Sequence, residues 1–139
     1  MATYNKFNAF KEHVAEKVHN LGSDQLVVAL CAAANAPVAT NSVLADLTQV
    51  SYTNLSSRNL TTLTSSQSSG TYTLDLQDLT LSASGGSVAT FRYVVIYNDT
   101  PTSPADPLIC WFDYGSDVTL ASGESLTITF NASGLLTIA

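Results

Sequence analysis

Charge is scarce in this chain, and positive charge is scarcest of all. Only 12% of its 139 residues are Asp, Glu, Lys or Arg, and five basic residues stand against eleven acidic ones, which gives a net charge of −6 at pH 7. An acidic surface of this kind repels phosphate backbones, so the composition argues against nucleic acid as a partner. We expect the acidic residues to serve solubility.

Long apolar runs and a cysteine framework are also missing. No run approaches the roughly 20 apolar residues that span a bilayer, and the polar N-terminus lacks the apolar core of a secretion signal. The two cysteines, Cys31 and Cys110, lie in apolar runs without a CxxC pair. This favours small buried side chains over a metal site, although a disulfide between them stays open. We therefore expect a soluble protein that is made in the cytoplasm and has no membrane partner.

The first 22 residues predict an amphipathic α-helix. Its apolar residues recur every three or four positions and would share one face, which consists of Phe7, Phe10, Val14, Val18 and Leu21. Thr3 or Asn5 would cap the start of this helix, and Gly22 would end it. The apolar face would either cover the protein's own core or anchor the helix on a partner.

Residues 23–139 predict strands and turns almost throughout. Buried strands are indicated by "DQLVVALCA", "SVATFRYVVIYN" and "LICWFDYG", a short helical turn by "SVLADL", and an edge strand by the polar residues before Gly70. The alternation in "TYTLDLQDLTL" shifts by one residue at Gln77, which predicts a bulge or bend there. "DVTLASGESLTITFN" predicts a hairpin that turns at Ser122 and Gly123, and "GLLTIA" a last short strand.

About eight strands with turns every 8–12 residues are typical of a sandwich or jelly roll. The prediction is therefore an all-β protein with a single domain over residues 1–139. Its N-terminal amphipathic helix (1–22) precedes a jelly-roll-like β-sandwich (23–139).

Groups suited to catalysis or metal binding are few. His13 and His19 are six residues apart on the expected helix, on different faces, and we expect both to face solvent. Asp113 and Asp117 flank Gly115, where paired carboxylates can bind Ca²⁺ or act as acid and base, but acids beside a turn glycine are also ordinary turn chemistry. The sequence thus predicts no enzyme, no catalytic or metal-binding residue, no cofactor and no small-molecule substrate.

Several stretches that together span nearly the whole chain carry a resemblance to known proteins. They are "YNKFNAFKEHVAEKVHNLGSDQL", "NSVLADLTQVSY", "SSQSSGTY", and "FRYVVIYNDT" followed by "PLICWFDYGSDVTL". In them the chain resembles small virion proteins of tailed bacteriophages, and within that group it is similar to capsid cement, or decoration, proteins with a jelly-roll fold. The resemblance implies a structural protein on the outer capsid surface of the virion that bridges major capsid subunits. It does not imply any ligand-binding residue in this chain. A two-fold homodimer is a natural way to build such a bridge.

Two segments are the candidates for the contact with the major capsid protein. The first 22 residues have three lysines against two glutamates, whereas the remainder has two arginines against nine acidic residues. The helix would therefore offer basic and apolar side chains to an acidic neighbour, namely Lys6, Phe7, Phe10, Lys11 and Lys17. The loop "NDTPTSPADP" cannot pair as a strand because of Pro101, Pro104 and Pro107, and it would project from one end of the sandwich. A solvated connector with no partner is an equally open interpretation of this loop.

Two other functions stay open on the sequence. A tail or neck component of the same virion fits the same resemblance. A carbohydrate-binding adhesin module would use aromatic side chains that lie on two adjacent strands and can stack on sugars, although such residues more often pack a core. These aromatic residues are Tyr93, Tyr97, Trp111 and Tyr114.

Overall fold

A computed structural model describes residues 2–139, which contain nine β-strands, one α-helix and two short 3₁₀ helices. The strands are β1 (Thr3–Lys6), β2 (Leu26–Cys31), β3 (Thr62–Ser68), β4 (Thr71–Leu76), β5 (Leu79–Ser82), β6 (Phe91–Asn98), β7 (Leu108–Val118), β8 (Ser125–Ile128) and β9 (Leu136–Ile138). Helix α1 (Ala9–Ala15) lies between β1 and β2, and the 3₁₀ helices span Ala33–Asn35 and Leu44–Asp46. Strands make up 43% and helix 9%, which confirms the predicted all-β class. Within residues 2–139, no helix is long and apolar enough to cross a membrane.

The strands form three antiparallel sheets. The largest has the order β1-β7-β6-β2, the second the order β3-β4-β9, and β5 pairs with β8 in the third. Strand β6 lies inside the four-stranded sheet and β3 at the edge of its own sheet, and both placements confirm the prediction. Strand β4 ends at Leu76 and β5 begins at Leu79 in another sheet, so the strand is interrupted at Gln77 and Asp78, where the shifted alternation predicts a bulge or bend.

Apolar side chains on the two faces of the four-stranded sheet belong to two separate cores. In β2, Val28 and Leu30 lie in the larger core, whereas Val27 and Ala29 lie in the smaller one. The larger core also contains buried leucines of the two smaller sheets, such as Leu74 and Leu81, so those sheets cover that face. Leu44 and Leu47 partly cover the smaller core. A sheet covered on both faces explains why β2 is apolar along its whole length.

The two cysteines lie in different cores. Cys31 belongs to the smaller core and Cys110 to the larger one, and both are free and buried. Burial raises the pKa of the Cys31 thiol to about 11 and that of the Cys110 thiol to about 12. Both therefore act as small apolar side chains, and the disulfide that the sequence left open is not formed.

The N-terminal helix is much shorter than the prediction, and a strand precedes it. Helix α1 covers Ala9–Ala15 only, while Thr3–Lys6 form β1, which pairs with β7. The prediction of a helix over residues 1–22 was therefore wrong at both ends. Asn8 is the N-cap residue, without a side-chain hydrogen bond to the helix, in place of Thr3 or Asn5.

A lysine, and not the expected glycine, ends helix α1. Lys17 adopts a φ of 65°, which is the left-handed conformation that usually favours glycine after a helix. The Val18 amide donates to the His13 carbonyl at 2.8 Å, and the Lys17 amide donates to the Val14 carbonyl at 3.3 Å. These two bonds form a Schellman motif, so the left-handed residue after the helix lies five residues before Gly22.

The prediction of a hairpin formed by β7 and β8 is also wrong. The turn itself is present, because the Glu124 amide donates to the Ala121 carbonyl at 2.9 Å and Gly123 has a φ of 90°. However, β8 pairs with β5, and β7 pairs with β1 and β6. The chain thus crosses from the four-stranded sheet to the two-stranded sheet at this turn.

Candidate interaction surface

The exposed lysines of the N-terminal region are available to a partner. Lys11 and Lys17 are exposed on α1 and at its end, whereas Lys6 is exposed on strand β1 and not on the helix as predicted. In residues 2–139 there is one ion pair, which joins Arg92 to Asp113 at 2.9 Å. None of the three lysines takes part in that ion pair, so each can meet an acidic neighbour.

The two phenylalanines predicted as contact candidates lie inside the protein. Phe7 is fully buried in the smaller core, with its ring centroid 4.5 Å from that of Trp111. Phe10 is 9% exposed and belongs to the larger core together with Leu21. The apolar stripe is thus divided between the two cores, because Phe7 lies before the helix and points away from Phe10. Neither ring can serve as a contact for a partner.

The proline-containing loop is tied down at both ends, and its tip is exposed. Pro107 is buried and forms a bridge with Val43, so it is not available as a contact residue. Pro101 and Pro104 are half-buried, and Thr102 pairs with Ala105 across the tip. A partner can therefore reach residues 102–105 of this loop, but not its base.

The helix and the loop adjoin through a third segment, residues 38–44. The Asn8 amide donates to the Ala39 carbonyl at 2.9 Å, and the Leu44 amide donates to the Asp106 carbonyl at 2.9 Å. Val38 in this segment is 52% exposed. We call the exposed part of these three segments the helix–loop surface, which consists of Lys11, Lys17, Val38, Thr102, Ser103 and Ala105.

A buried polar network joins the end of the helix region to the start of the loop. Asn98 is fully buried, and its side-chain nitrogen lies 3.0 Å from Nδ1 of His19 and 2.7 Å from Oδ2 of Asp24, to which it donates. Its side-chain oxygen accepts a hydrogen bond from the Thr100 amide at 3.1 Å. The two candidate segments are therefore held in a fixed relative position.

The prediction that both histidines face solvent was wrong. The ring centroid of His19 lies 5.2 Å from that of Phe10 and 6.0 Å from that of His13. Nδ1 of His13 and Nε2 of His19 are buried without a hydrogen-bond partner. Burial, helped by the nearby His13 and opposed by Asp24, lowers the pKa of His19 to about 4. His19 is therefore neutral at pH 7, which suits its packing against Phe10.

Of the two carboxylates considered as a calcium or acid–base pair, Asp113 is engaged in hydrogen bonds and Asp117 is exposed. Asp113 accepts hydrogen bonds from Nε of Arg92 at 2.9 Å and from the Gly115 amide at 2.8 Å. The Arg92 hydrogen bond, followed by the Gly115 amide, lowers the pKa of Asp113. In the part of the chain that the structure describes, no three His, Cys, Asp or Glu side chains are placed together to hold a metal ion. The observed arrangement is a surface ion pair within strand β7, at the point where its pairing with β6 shifts register.

The four aromatic residues considered as a sugar-stacking platform are not exposed together on one surface. Tyr97 and Trp111 are buried in the smaller core, and Tyr93 packs against it half-buried. Tyr114 is 46% exposed. The first three rings are therefore committed to packing, and no flat aromatic surface results.

No protein-family model, curated protein or solved structure matches this chain. Function is therefore inferred from the residues themselves and from their geometry.

Proposed function

We propose that this protein is a virion structural protein that decorates the outer surface of a tailed-bacteriophage capsid and cements it by bridging major capsid subunits. The sequence resemblance over nearly the whole chain is one support. The structural observation that carries the proposal is the pair of exposed lysines, Lys11 and Lys17, on an element whose large apolar residues are committed to the core. Two exposed lysines held rigidly on an acidic protein are suited to docking on an acidic partner.

The finer architecture belongs to the same proposal. We infer that the three sheets form a jelly-roll-like sandwich with the N-terminal helix over part of its larger core. The body beyond residue 22 has two arginines against nine acidic residues, which suits a position outside the shell and away from packaged DNA.

Bridging does not require a strong individual contact. A protein that touches several subunits of a closed lattice gains from effective concentration, so weak contacts at the helix–loop surface add up to stable attachment. Pairing as a two-fold homodimer would double the number of contacts for each decorating unit.

The position in the virion is tested by imaging purified particles that carry a labelled copy of this protein. We expect label over the whole shell, because a cement protein occupies every equivalent site of the lattice. Label confined to one vertex would favour a tail or neck component instead. Unlabelled particles together with specific binding on a glycan array would favour the adhesin module.

The double variant Lys11→Glu plus Lys17→Glu should attach to undecorated particles roughly tenfold more weakly at low salt, because each reversal removes an attraction and adds a repulsion. Binding is measured by co-sedimentation with the particles over a range of salt concentrations. Glu12→Lys on the same helix is the matched control, and it should strengthen attachment or leave it unchanged.

Unchanged attachment of the double variant would contradict the role of the lysines. A second variant replaces Thr102–Ala105 by a Gly/Ser segment of equal length, which spares the hydrogen-bonded loop base. Loss of attachment in this variant alone would assign the contact to the loop tip.

A further inference from the structure

An apolar cleft opens between β1 and the segment from β8 to β9. It has a volume of about 460 Å³, and none of the residues that line it is charged. Its main apolar walls are Tyr4, Phe112, Leu126, Ile128, Phe130 and Leu135. This volume lies within the range of ligand-binding pockets, roughly 300–1,000 Å³.

The cleft continues into a second hollow that runs between β1 and β9. The two hollows share Tyr4 and Leu135, and the second adds Lys6 from β1 and Thr137 from β9. Lys6 is the one charged residue among all those that line them. Together they form a groove that is apolar along most of its length and positive at one end.

Both strands beside this groove lie at sheet edges. Strand β1 pairs with β7 alone, and β9 pairs with β4 alone. Each edge strand therefore presents unpaired backbone N–H and C=O groups on its outer side. A ligand that follows the groove meets a row of backbone donors and acceptors as well as apolar side chains.

The wall formed by residues 131–135 is held in place by the second sheet. The Leu135 amide donates to the Leu74 carbonyl at 2.7 Å, and Gly134 has a φ of 99°. A Cβ at Gly134 would lie 2.6 Å from the Thr73 methyl carbon and 2.8 Å from the Leu74 carbonyl oxygen, so only glycine fits this approach. The groove is thus preformed, which lowers the entropy lost on binding.

We propose that this groove binds an extended segment of another protein, which adds as a strand to the free edge of β1. Alternate apolar side chains of that segment fill the cleft, and an acidic side chain meets Lys6. The free backbone edges favour a polypeptide over a lipid, because a strand satisfies them and an acyl chain does not. This inference goes beyond the capsid proposal and does not depend on it.

The test uses a yeast-displayed library of random peptides of about ten residues, the length of a long strand. We expect selected peptides to alternate apolar and polar residues and to carry Asp or Glu near one end. Tyr114 also lines the cleft and is exposed. A synthetic copy of a selected peptide should bind Tyr114→Glu and Lys6→Glu roughly tenfold more weakly than the wild type. Leu63→Glu is the matched control, because Leu63 is 59% exposed on β3 and does not line the groove.

A second measurement on the wild-type protein separates strand addition from simple apolar docking. The same peptide, N-methylated at alternate residues, keeps its side chains but loses the donors that pair with β1, so it should not bind. The unmodified peptide should slow hydrogen exchange of the β1 amides. Equal binding of both peptides, equal binding to Tyr114→Glu, or a library that yields no binder would overturn the proposal. So would self-association of the wild type that Tyr114→Glu abolishes, because the occupant would then be a second copy.

Discussion

Replacing Phe10 by alanine should lower the free energy of unfolding by about 3–5 kcal/mol, the usual cost of removing a buried phenylalanine ring. Phe10 is 9% exposed and is the buried residue of α1. With seven residues, α1 is too short to be stable by itself in water, so its position depends on this side chain. The ring also supports His19, whose centroid lies 5.2 Å away.

Urea denaturation of the purified protein measures this effect. Lys11→Ala, one residue further along the same helix and exposed, is the control and should change stability by less than about 0.5 kcal/mol. Wild-type stability of Phe10→Ala combined with lost attachment to particles would show that the helix serves only as an anchor on a partner.

Elements whose pattern is local and strong were predictable from the sequence. Strand β2 and most of β6 are apolar because both faces of their sheet are covered, and this pattern alone indicates strands buried on both faces. The break at Gln77 was visible because one extra residue shifts the alternation of leucines. The helical turn near Leu44 was also visible, where the Asp46 carboxylate accepts a hydrogen bond from the Ser42 amide at 2.8 Å.

Features that depend on distant partners were not predictable. Strand β1 has only four residues, "TYNK", and it exists because it pairs with β7 more than one hundred positions later in the chain. The regular apolar spacing through Phe7 and Phe10 therefore predicted a longer helix than the structure contains. Likewise, the turn at Gly123 was correct, but no local signal shows that β8 pairs with β5. Lys17 ends the helix in a conformation that the sequence favoured at Gly22.

The candidate surface was only partly predictable for the same reason. The exposure of the lysines can be predicted because charged side chains stay in water. The burial of Phe7 and Pro107, in contrast, depends on tertiary packing. The network around His19 involves Asn98, which lies 79 residues away in the chain. One signal was present: Asn98 directly follows the apolar run 93–97, and a buried polar residue needs partners.

The environment of His19 makes the stability of the protein sensitive to acid. The charged or titratable groups that face its ring are His13 from α1 and Asp24 from the segment before β2, while the end of β6 contributes the neutral amide of Asn98. Because the side-chain nitrogen of Asn98 donates to Nδ1, the neutral ring carries its proton on Nε2, and a second proton would have to go on Nδ1, facing that donor. Protonation of His19 therefore opposes its packed position, and the native state favours the neutral ring.

Stability should fall as the pH falls from about 6.5, the usual pKa of histidine, to the pKa of about 4 in the folded protein. In this range the unfolded chain takes up a proton that the native state does not, and outside it both states carry the same charge on His19. Because His19 is only partly buried, we expect a loss of about 2 kcal/mol, less than the full shift would give. Urea denaturation between pH 7 and pH 4 measures the loss.

The variant His19→Phe keeps an aromatic ring but cannot titrate, so its stability should change less across the same pH range than that of the wild type. Comparing the two removes the contribution of the other acidic groups, which titrate in both proteins. Proton NMR of the His19 ring gives its pKa directly in the folded protein. A ring that titrates near pH 6.5, or equal pH dependence in both proteins, would show that His19 is exposed to water and that the packing between the helix region and the loop is open.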